Sequence, residues 1–399
     1  MDNWFAVVTA GRWQVNGILA ARNLGYKVVA IDADPHAEGF SHADHIINLP
    51  LTNVEVVLSE LKALTGDLRG AVSFASDAGV PLAAEIRQYF NLPGAHPELC
   101  SRLVNKAQQR RVWAEHRVPG PRVEVVTTPQ AALVAIENFG FPLVIKPADS
   151  SGSRGVTKLE SSDDDVLEAV NRAFHFSKTK EVLLESFMDG VEFTVESFSV
   201  RGKHHILAVT EKLKVEGTRG TVARELATPQ RSPAVIDSIE KVVMSAYRAL
   251  GYEDGPGHAE VILMKDGKIG LVEVAGRGGG FLVFDRLVPS VSGIDIARLT
   301  AMQAVGMQLH NIRPECNPTV LRFFPSRQGK LIAIRGLELA NELEGVEAGA
   351  IAKIGDLFTG AATDGDRLGW ILSRGDTPQI AQQKADQAES LISFVLVEQ

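Results

Sequence analysis

The most informative part of the chain reads GHAEVILMKDGKIGLVEV, from Gly257 to Val274. Two apolar runs flank Asp266-Gly267, and such a pair strongly favours a two-residue turn between antiparallel strands. Counting outward from this turn along both strands places Glu260 opposite Glu273. Each residue between them lies opposite the residue at the same distance from the turn on the other strand. Both faces of the predicted hairpin are apolar, so we expect it to be covered on both sides.

The two glutamates of this hairpin predict a metal site. Directly opposed side chains are about 5 Å apart at Cβ, and two carboxylates that close repel each other unless a cation, an arginine or a shared proton compensates. Mg²⁺ commonly takes one or two carboxylates together with substrate phosphates. Arg277, four residues after Glu273, is a second candidate positive group. The alternative, with Glu260 and Glu273 exposed at a frayed strand end, is disfavoured by their apolar flanks.

A second motif joins a buried strand to a loop of small residues. The run from Phe141 to Pro147 predicts a short strand that carries Lys146, and Ala148–Val156 follows with serines and glycines. Small residues allow backbone N–H groups to approach phosphate oxygens, and a lysine adds positive charge. This is not the Walker arrangement, since no Gly-Lys-Ser/Thr opens a helix. A Ser/Gly loop alone is more often a flexible turn, but with the carboxylate hairpin downstream the sequence favours a phosphate-binding loop.

Residues 182–196 predict another strand pair, with Asp189-Gly190 as its turn signal. The backbone beside Phe187 and Met188 is a candidate surface for a flat base, and Glu192 is a candidate for binding a ribose. Taken alone, an ordinary hairpin with solvated glutamates is the favoured interpretation of this segment.

The first part of the chain alternates strand and helix signals. The predicted strands are Phe5–Thr9, Lys27–Ile31 and Gly70–Phe74, and the predicted helices are Val15–Leu24 and Ala78–Phe90. This alternation predicts a Rossmann-like parallel sheet with helices on both faces. The turn after the first strand holds only Gly11 and Gly17 and lacks the full dinucleotide fingerprint, so a structural turn is favoured over a dinucleotide site.

Turn-rich residues at Asn91–Pro97 mark a boundary. The following segment, to about residue 313, mixes helices with antiparallel strand pairs. The remainder contains strands separated by glycines and ends in a predicted helix, Thr377–Val395, with proline at its first helical position. We therefore predict three domains, 1–97, 98–313 and 314–399, in a chain that combines α/β and α+β architecture.

Composition limits the class of protein. Of 399 residues, 45% are apolar and 23% charged, which is typical of a globular protein. A net charge of −8 argues against a general binder of nucleic acid or anionic membranes. Two cysteines give no disulfide framework, and neither a secretory leader nor an apolar run long enough to span a bilayer is recognisable. The expectation is a cytoplasmic enzyme.

Taken together, the motifs resemble those of the ATP-grasp superfamily, and the resemblance covers most of the chain. It implies an ATP-grasp fold after the Rossmann-like domain, with a C-terminal domain that completes the active site. The implied ATP-binding residues are Lys106, Lys146, Ser151, Gly152, Ser153, Gly155, Glu185, Ser186, Phe187, Met188 and Glu192. The implied ligands of Mg²⁺ or Mn²⁺ are Glu260 and Glu273.

The run Glu273–Gly280 is similar to the L-amino acid ligase branch of carboxylate–amine ligases, in which an arginine follows the second acid by four positions. The resemblance implies that Arg277 holds the phosphate and the substrate carboxylate, and that Lys146 acts with it in catalysis. Many ATP-grasp proteins carry asparagine two residues after the second acid, whereas this chain has Ala275. The number of metal ions is therefore open.

The implied reaction joins an acid to an amine. The acid attacks the γ-phosphate of ATP to give an acyl phosphate and ADP, and the amine then displaces phosphate, while the Gly/Ser loop closes against water. Amino acids or related small acids are the expected substrates. His258, Arg224 and Glu225 are weaker candidates for substrate binding, because a packed histidine and a solvated loop pair explain them equally well. A homodimer is a common expectation for the resembling family.

Three alternatives remain. A purine-pathway or bicarbonate-phosphorylating ligase of the same superfamily is disfavoured by the Arg277 pattern. A non-catalytic nucleotide-binding regulatory protein has no need of both lysines and both acids. A dinucleotide-dependent oxidoreductase that uses the N-terminal sheet would bind NAD(P)H rather than ATP.

Overall fold

The computed structural model of the chain describes residues 2–215, 222–361 and 363–398. Its strands are, in chain order, β1 (Asn3–Val8), β2 (Lys27–Asp32), β3 (His45–Asn48), β4 (Asp67–Val72), β5 (Val123–Val126), β6 (Leu143–Pro147), β7 (Thr157–Leu159), β8 (Val182–Ser186), β9 (Gly190–Val200), β10 (Lys203–Lys214), β11 (Ala223–Ala227), β12 (Gly255–Met264), β13 (Ile269–Ala275), β14 (Thr319–Pro325), β15 (Gly329–Arg335), β16 (Val346–Ala350), β17 (Leu357–Phe358), β18 (Arg367–Arg374) and β19 (Ser393–Val397). Its α-helices are α1 (Val15–Asn23), α2 (Val54–Ala63), α3 (Val80–Tyr89), α4 (Pro97–Leu103), α5 (Lys106–His116), α6 (Pro129–Phe139), α7 (Val166–Phe176), α8 (Pro233–Leu250), α9 (Val288–Ser292), α10 (Ile296–Ala304), α11 (Leu337–Asn341) and α12 (Pro378–Leu391).

The N-terminal strands form the predicted parallel sheet, in the order β3-β2-β1-β4. Residues of β1 alternate between two apolar cores. Phe5 and Val7 pack into one core, and Ala6 and Val8 pack into the other. Because successive side chains of a strand point to opposite faces, a continuous apolar run is what a sheet covered on both faces requires.

A small antiparallel sheet, β5-β8-β6-β7, follows in the chain. Helices α6 and α7 cover one of its faces, where Ile136 and Val170 pack against Leu143 and Leu184. The predicted strand that carries Lys146 is confirmed as β6, the central partner of β7 and β8.

The largest sheet is antiparallel and has the order β13-β12-β9-β10-β11-β14-β18-β16. Helix α8 packs Ile239, Val243 and Tyr247 against the hairpin β12–β13. The C-terminal strands β14, β16 and β18 continue the same sheet. We retain 1–97, 98–313 and 314–399 as a proposed division, in which the last boundary separates strands of one sheet.

The hairpin β12–β13 differs from its prediction near the turn. Met264 N–H donates to Lys268 O at 2.8 Å, so the turn between these two paired residues holds three residues, 265–267, rather than two. Val261 consequently lies opposite Leu271, one residue out of the predicted count. A bulge between Glu260 and Val261 restores the register, and Glu260 lies opposite Glu273 as predicted.

The strand pair predicted for residues 182–196 is wrong. β8 belongs to the small sheet, where it pairs with β5 and β6, whereas β9 pairs with β10 and β12 in the large sheet. Asp189-Gly190 therefore leads from one sheet into the other. Residues 182–185 are buried and find partners on both edges in the small sheet, which leaves no free edge for β9.

The final predicted helix begins as expected and ends early. Thr377 caps α12 by accepting a hydrogen bond from Ile380 N–H at 3.2 Å, and Pro378 occupies the first helical position. The helix stops at Leu391, and β19 follows as a strand paired with β15. The run of β-branched and aromatic residues in β19 fits a strand better than a helix. Within the described ranges, no helix has both the length and the apolar character needed to cross a membrane.

Candidate active site

A cavity of about 1120 Å³ lies where the N-terminal sheet, the small antiparallel sheet and the largest sheet meet. The predicted site residues in its wall are Lys106, Lys146, Ser151, Gly152, Ser153, Glu185, Ser186, Phe187, Met188, Glu192, His258, Glu260, Glu273 and Arg277. The N-terminal sheet contributes the ends of its strands, and the C-terminal segment contributes Thr363, Gly365 and Arg367. One cavity thus collects residues from positions 9 to 367.

Lys146 is fixed in position by buried ion pairs. Its Nζ lies 2.6 Å from Glu185 Oε2, and Arg110 contacts the other oxygen of Glu185 at 2.8 Å. Burial lowers the pKa of Lys146, and the neighbouring Arg110 adds to that lowering against the opposing effect of Glu185. Burial alone would raise the pKa of Glu185, but Arg110 and Lys146 outweigh it, so its pKa lies below the ordinary value. Glu185 is therefore a charged anchor that aims Lys146 into the cavity.

Lys106 connects the Gly/Ser loop to the acid pair. Its Nζ donates to Ser150 O at 2.8 Å and lies 2.9 Å from Glu273 Oε2. Burial would lower the pKa of Lys106, but Glu273 outweighs burial and raises it. The pKa of Glu273 is lowered in turn, because Lys106 outweighs the effect of burial on this carboxyl. Both groups are therefore charged.

Lys212 joins two predicted acids. Its Nζ lies 2.7 Å from Glu192 Oε1 and 2.8 Å from Glu260 Oε1. Lys214, two residues further along β10, holds the other oxygen of Glu192 at 2.5 Å. Burial favours the neutral form of Glu192, but the two lysines outweigh it and lower its pKa to about 2. Glu192, predicted to bind the ribose, and Glu260, predicted to bind the metal, thus share the positive charge of Lys212.

The acid pair suits a hard cation that takes its other ligands from a substrate. Glu260 and Glu273 face each other on neighbouring strands and supply carboxylate oxygens, which Mg²⁺ prefers. Across the described ranges, no group of three or more His, Cys, Asp or Glu side chains is arranged to hold a metal ion alone. Ala275, opposite His258, supplies no ligand atom. The donor set therefore fits Mg²⁺ or Mn²⁺ together with phosphate oxygens and water.

The Gly/Ser loop lies beside these acids. Gly152 and Ser153 both have positive φ, at 64° and 57°. A side chain at Gly152 would meet nothing within 4 Å, so its backbone borders open space. Gly155, predicted to bind the nucleotide, is not in the cavity wall, because it packs beneath the loop. A Cβ there would lie 2.8 Å from Pro147 Cγ.

The predicted base-binding segment follows β8. The Phe187 ring lies 3.7 Å from Lys158 Nζ, so a cation covers one of its faces. Met188 is buried and packs against Gly270, where a Cβ would approach the sulfur to 2.3 Å. Phe187 N–H donates to Pro142 O at 3.3 Å, which fixes the segment to the small sheet. An apolar wall at this end of the cavity suits a flat ring.

Arg277 is held by the N-terminal part of the chain. Its Nε and NH2 lie 3.0 and 2.6 Å from the two oxygens of Asp77. Burial would lower the pKa of Arg277, but Asp77 outweighs it and raises the pKa. His258 forms a second pair, with its Nδ1 at 2.5 Å from Glu196 Oε1. Glu196 outweighs burial and raises the pKa of His258.

Arg224 and Glu225, the weaker substrate candidates, are not brought to the cavity. Arg224 bonds to Phe323 O and to Glu389 of α12. Glu225 accepts a hydrogen bond from Arg322 Nε at 2.5 Å and another from Gln382 at 3.3 Å. Arg224 and Glu225 lie outside the cavity because their charged side chains fasten α12 to the large sheet.

Several charged residues of the site escaped the sequence analysis, namely Asp77, Arg110, Glu196, Lys212 and Lys214. Three of them left a local signal. Arg110 lies four residues after Lys106 and therefore on the same face of α5. Lys214 and Lys212 are two apart on one strand and share a face. The positions of Asp77 and Glu196 depend on how distant segments pack, which local spacing does not reveal.

Comparisons with known proteins agree with this architecture. The family model for the ATP-grasp domain matches residues 139–285, and the model for L-amino acid ligase C-terminal domain 2 matches residues 322–397. The fold is similar to the L-amino acid ligase from Bacillus licheniformis, with a TM-score of 0.85 at 22% identity over 100% of this chain and 99% of that one. It is also similar to phosphoribosylglycinamide synthetase from Anaerococcus prevotii, with a TM-score of 0.77 at 21% identity over 99% of this chain and 100% of that one.

Two proteins are related to this chain in sequence. The uncharacterized protein y4rH of Sinorhizobium fredii is 27% identical over 97% of this chain and 83% of its own length. A D-alanine–D-alanine ligase of Bordetella avium is 30% identical over 48% of this chain and 61% of its own length. Residues 139–285 therefore match an ATP-grasp domain and the chain has the ATP-grasp fold. With the match of residues 322–397, the chain resembles the L-amino acid ligase branch.

Proposed function

We propose that the chain is a carboxylate–amine ligase that joins an amino acid or a related small acid to an amine through an acyl phosphate, with release of ADP and phosphate. One observation carries the proposal. A single cavity collects the phosphate-binding loop, Lys146, the facing acids Glu260 and Glu273, and Arg277.

The nucleotide has a defined place in this proposal. Phe187 and Met188 receive the base, and Glu192 accepts hydrogen bonds from the ribose hydroxyls. Lys146 and Lys106 contact the phosphates, which the small residues of the loop cover. Glu185 acts on ATP only through Lys146, whose position it sets at 2.6 Å.

Mg²⁺ or Mn²⁺, bound at Glu260 and Glu273, would neutralise charge on the phosphates during transfer. The residues of this chain do the rest. Lys106 and Lys146 offset the charge that spreads over the transferring group, and Arg277 orients the carboxylate of the acid. The loop 150–156 keeps water from the acyl phosphate until the amine attacks.

The amino-acid branch is supported over the alternatives. The match to an L-amino acid ligase C-terminal domain covers residues 322–397, and Arg367 of that segment lines the cavity. Intact ion pairs at both lysines and both acids oppose a non-catalytic role. Free Cys100 and Cys316 agree with the proposed cytoplasmic location. A homodimer is also proposed, and light scattering during gel filtration tests it.

The test is ADP and phosphate release with Mg-ATP, screened against amino acids and other small acids singly and in pairs. Release that requires both an acid and an amine supports the ligase. If bicarbonate alone, or a purine precursor, gives the release, the proposal fails in favour of the other ligase classes. ATP binding with no release for any pair favours a non-catalytic protein.

A further inference from the structure

Glu273, one of the two facing acids, lies on a strand at the edge of the largest sheet. Among the described strands, β12 pairs with both β9 and β13, whereas β13 pairs with β12 alone. The edge of a sheet presents backbone N–H and C=O groups that no neighbouring strand satisfies. Glu260 is therefore fixed by strands on both sides, and the position of Glu273 depends on what bonds to the outer edge of β13.

Helix α5 bonds to this edge on both sides of Glu273. Gln109 forms two hydrogen bonds with Val274, because its Nε2 donates to Val274 O at 2.8 Å and its Oε1 accepts from Val274 N–H at 3.4 Å. Arg110 NH2 donates to Val272 O at 2.5 Å. The amide of Gln109 thus takes the place of a peptide group of a neighbouring strand, and the residues before and after Glu273 are both held.

The side chains that make these contacts share one face of α5. Lys106, Gln109 and Arg110 are spaced i, i+3 and i+4, and Trp113 follows at i+7. Lys106 Nζ lies 2.9 Å from Glu273 Oε2. The guanidinium carbon of Arg110 lies 4.7 Å from the centre of the Trp113 ring, a cation–π contact. One helix face therefore holds both the side chain of Glu273 and the backbone on either side of it.

The amide of Gln109 is buried and has backbone partners at each of its polar atoms. Gln109 is 1% exposed, and its Nε2 also donates to Leu103 O at 3.0 Å. The two N–H groups and the carbonyl oxygen of the side chain are all used, which fixes the orientation of the amide. The helix is fixed at its start, where Lys106 N–H donates to Ala148 O at 2.7 Å. The position of α5 is thereby transmitted through Gln109 to β13.

We propose that Gln109 is a positioning residue for the metal site, which by its bonds to Val274 holds Glu273 where its carboxylate and that of Glu260 bind one Mg²⁺ or Mn²⁺ ion together. The inference rests on the proposed function and adds to it a residue that touches neither metal nor substrate. Groups that orient metal ligands in this way typically contribute about 10–100-fold to metal affinity or activity.

The test measures Mn²⁺ binding through the EPR signal of the free ion, with ADP present to supply phosphate oxygens. A titration of ADP without protein gives the background. The wild type is compared with Gln109→Met, which has a similar length without the amide, and with Gln109→Asn, which keeps an amide but is one methylene shorter. We expect the Kd for Mn²⁺ to rise about tenfold in both variants.

Turnover should show the same selectivity. We expect kcat to fall in both Gln109 variants, while the KM for ATP at saturating Mg²⁺ stays unchanged, because the nucleotide contacts are not altered. Gln108→Met is the matched control, since it makes the same substitution at the adjacent, partly buried position of α5. It should bind Mn²⁺ as the wild type does.

Unchanged Mn²⁺ affinity in both Gln109 variants overturns the inference and leaves the ligase and its metal site standing. A lower thermal midpoint would then show that Gln109 serves stability alone. An equal rise of Kd in Gln108→Met also overturns the inference, because the effect would not depend on the contact with Val274. If Gln109→Met folds poorly, Gln109→Asn decides by the same tenfold change. If the wild type binds no Mn²⁺, the metal assignment in the proposed function fails, and the inference fails with it.

Discussion

Two groups of ion pairs line the cavity, and they differ in how completely they are buried. In the first, Glu185 lies between Lys146 and Arg110, and the three side chains are 3–6% exposed. In the second, Lys106 and Lys212 hold Glu273 and Glu260, whose side chains keep 24% and 21% exposure. Similar ion pairs therefore occur in two settings, one closed to solvent and one open to a ligand.

The difference separates a supporting role from a binding role. Removing one partner of a fully buried pair leaves an uncompensated charge and strongly destabilises a protein. Pairs that keep some exposure contribute less to stability, because water screens their charges. Glu185 therefore belongs to the framework that aims Lys146. Under the proposed function, Glu260 and Glu273 would exchange their lysines for a metal ion, and the lysines would then contact phosphates.

The largest expected effect is on turnover in Glu273→Gln. This variant loses a carboxylate of the proposed metal site and the partner of Lys106, so we expect kcat to fall at least about a thousandfold, since charge stabilisation at the transferring group is lost. The thermal midpoint should change little. Asp266→Asn, on the exposed turn of the same hairpin, is the control and should keep near-normal turnover. Full activity in Glu273→Gln would refute the metal assignment.

Glu185→Gln should instead lower stability. The variant leaves Lys146 and Arg110 buried without their counter-charge, and we expect the free energy of unfolding to fall by about 3–5 kcal/mol. Urea denaturation measures it, with Glu124→Gln on the neighbouring strand β5 as an exposed control. If Glu185→Gln kept wild-type stability and lost only activity, the assignment of a supporting role to this group of ion pairs would be wrong.

Glu192 predicts a specific dependence of stability on pH. Lys212 and Lys214 outweigh burial and hold its pKa at about 2, below the ordinary value of about 4.3 for glutamate. A lowered carboxyl pKa contributes stability that is fully present above the unfolded-state value and is lost as pH falls through the folded-state value. The contribution at neutral pH is on the order of 3 kcal/mol.

Unfolding curves of the wild type and Glu192→Gln should therefore converge as the pH falls from above about 4.3 toward about 2. Glu211→Gln, which removes a surface pair with Arg231 whose side chains are about one-third exposed, should follow the wild type throughout. A constant difference between the wild type and Glu192→Gln across that range would show that Glu192 is not held ionised by the lysines.

The sequence predicted the parts of the site that depend on local pattern. Lys146 ends a short apolar strand, and Asp266-Gly267 marks a hairpin whose two acids face each other. That prediction succeeded for Glu260 and Glu273 although the turn was longer than expected, because one bulge compensates for the longer connection. The order of the motifs along the chain was also enough to predict the ATP-grasp fold.

Other parts depend on pairings between distant segments. Asp189-Gly190 has the same turn signal as the true hairpin, but β8 already has partners on both edges. Asp77 contacts Arg277, which lies 200 positions later in the chain, and the sequence around either residue gives no sign of this contact. Arg224 and Glu225 were weak candidates for substrate binding, and their contacts with α12 could not be predicted from sequence.

The smallest expected effect is a change in metal response in Lys212→Met. Without this cation, Glu192 keeps Lys214, whereas Glu260 loses its partner and lies near Glu192. We expect a loss of about 1–2 kcal/mol in the absence of metal, since one charge in a partly buried site becomes unpaired. Mg²⁺ should restore much of the lost stability, because the ion replaces the missing positive charge at Glu260.

Thermal unfolding with EDTA and with Mg²⁺ measures the difference, and Lys241→Met on α8 is the control. If Mg²⁺ raised the midpoint no more in Lys212→Met than in the wild type, the idea that lysine and metal compete for these acids would be wrong.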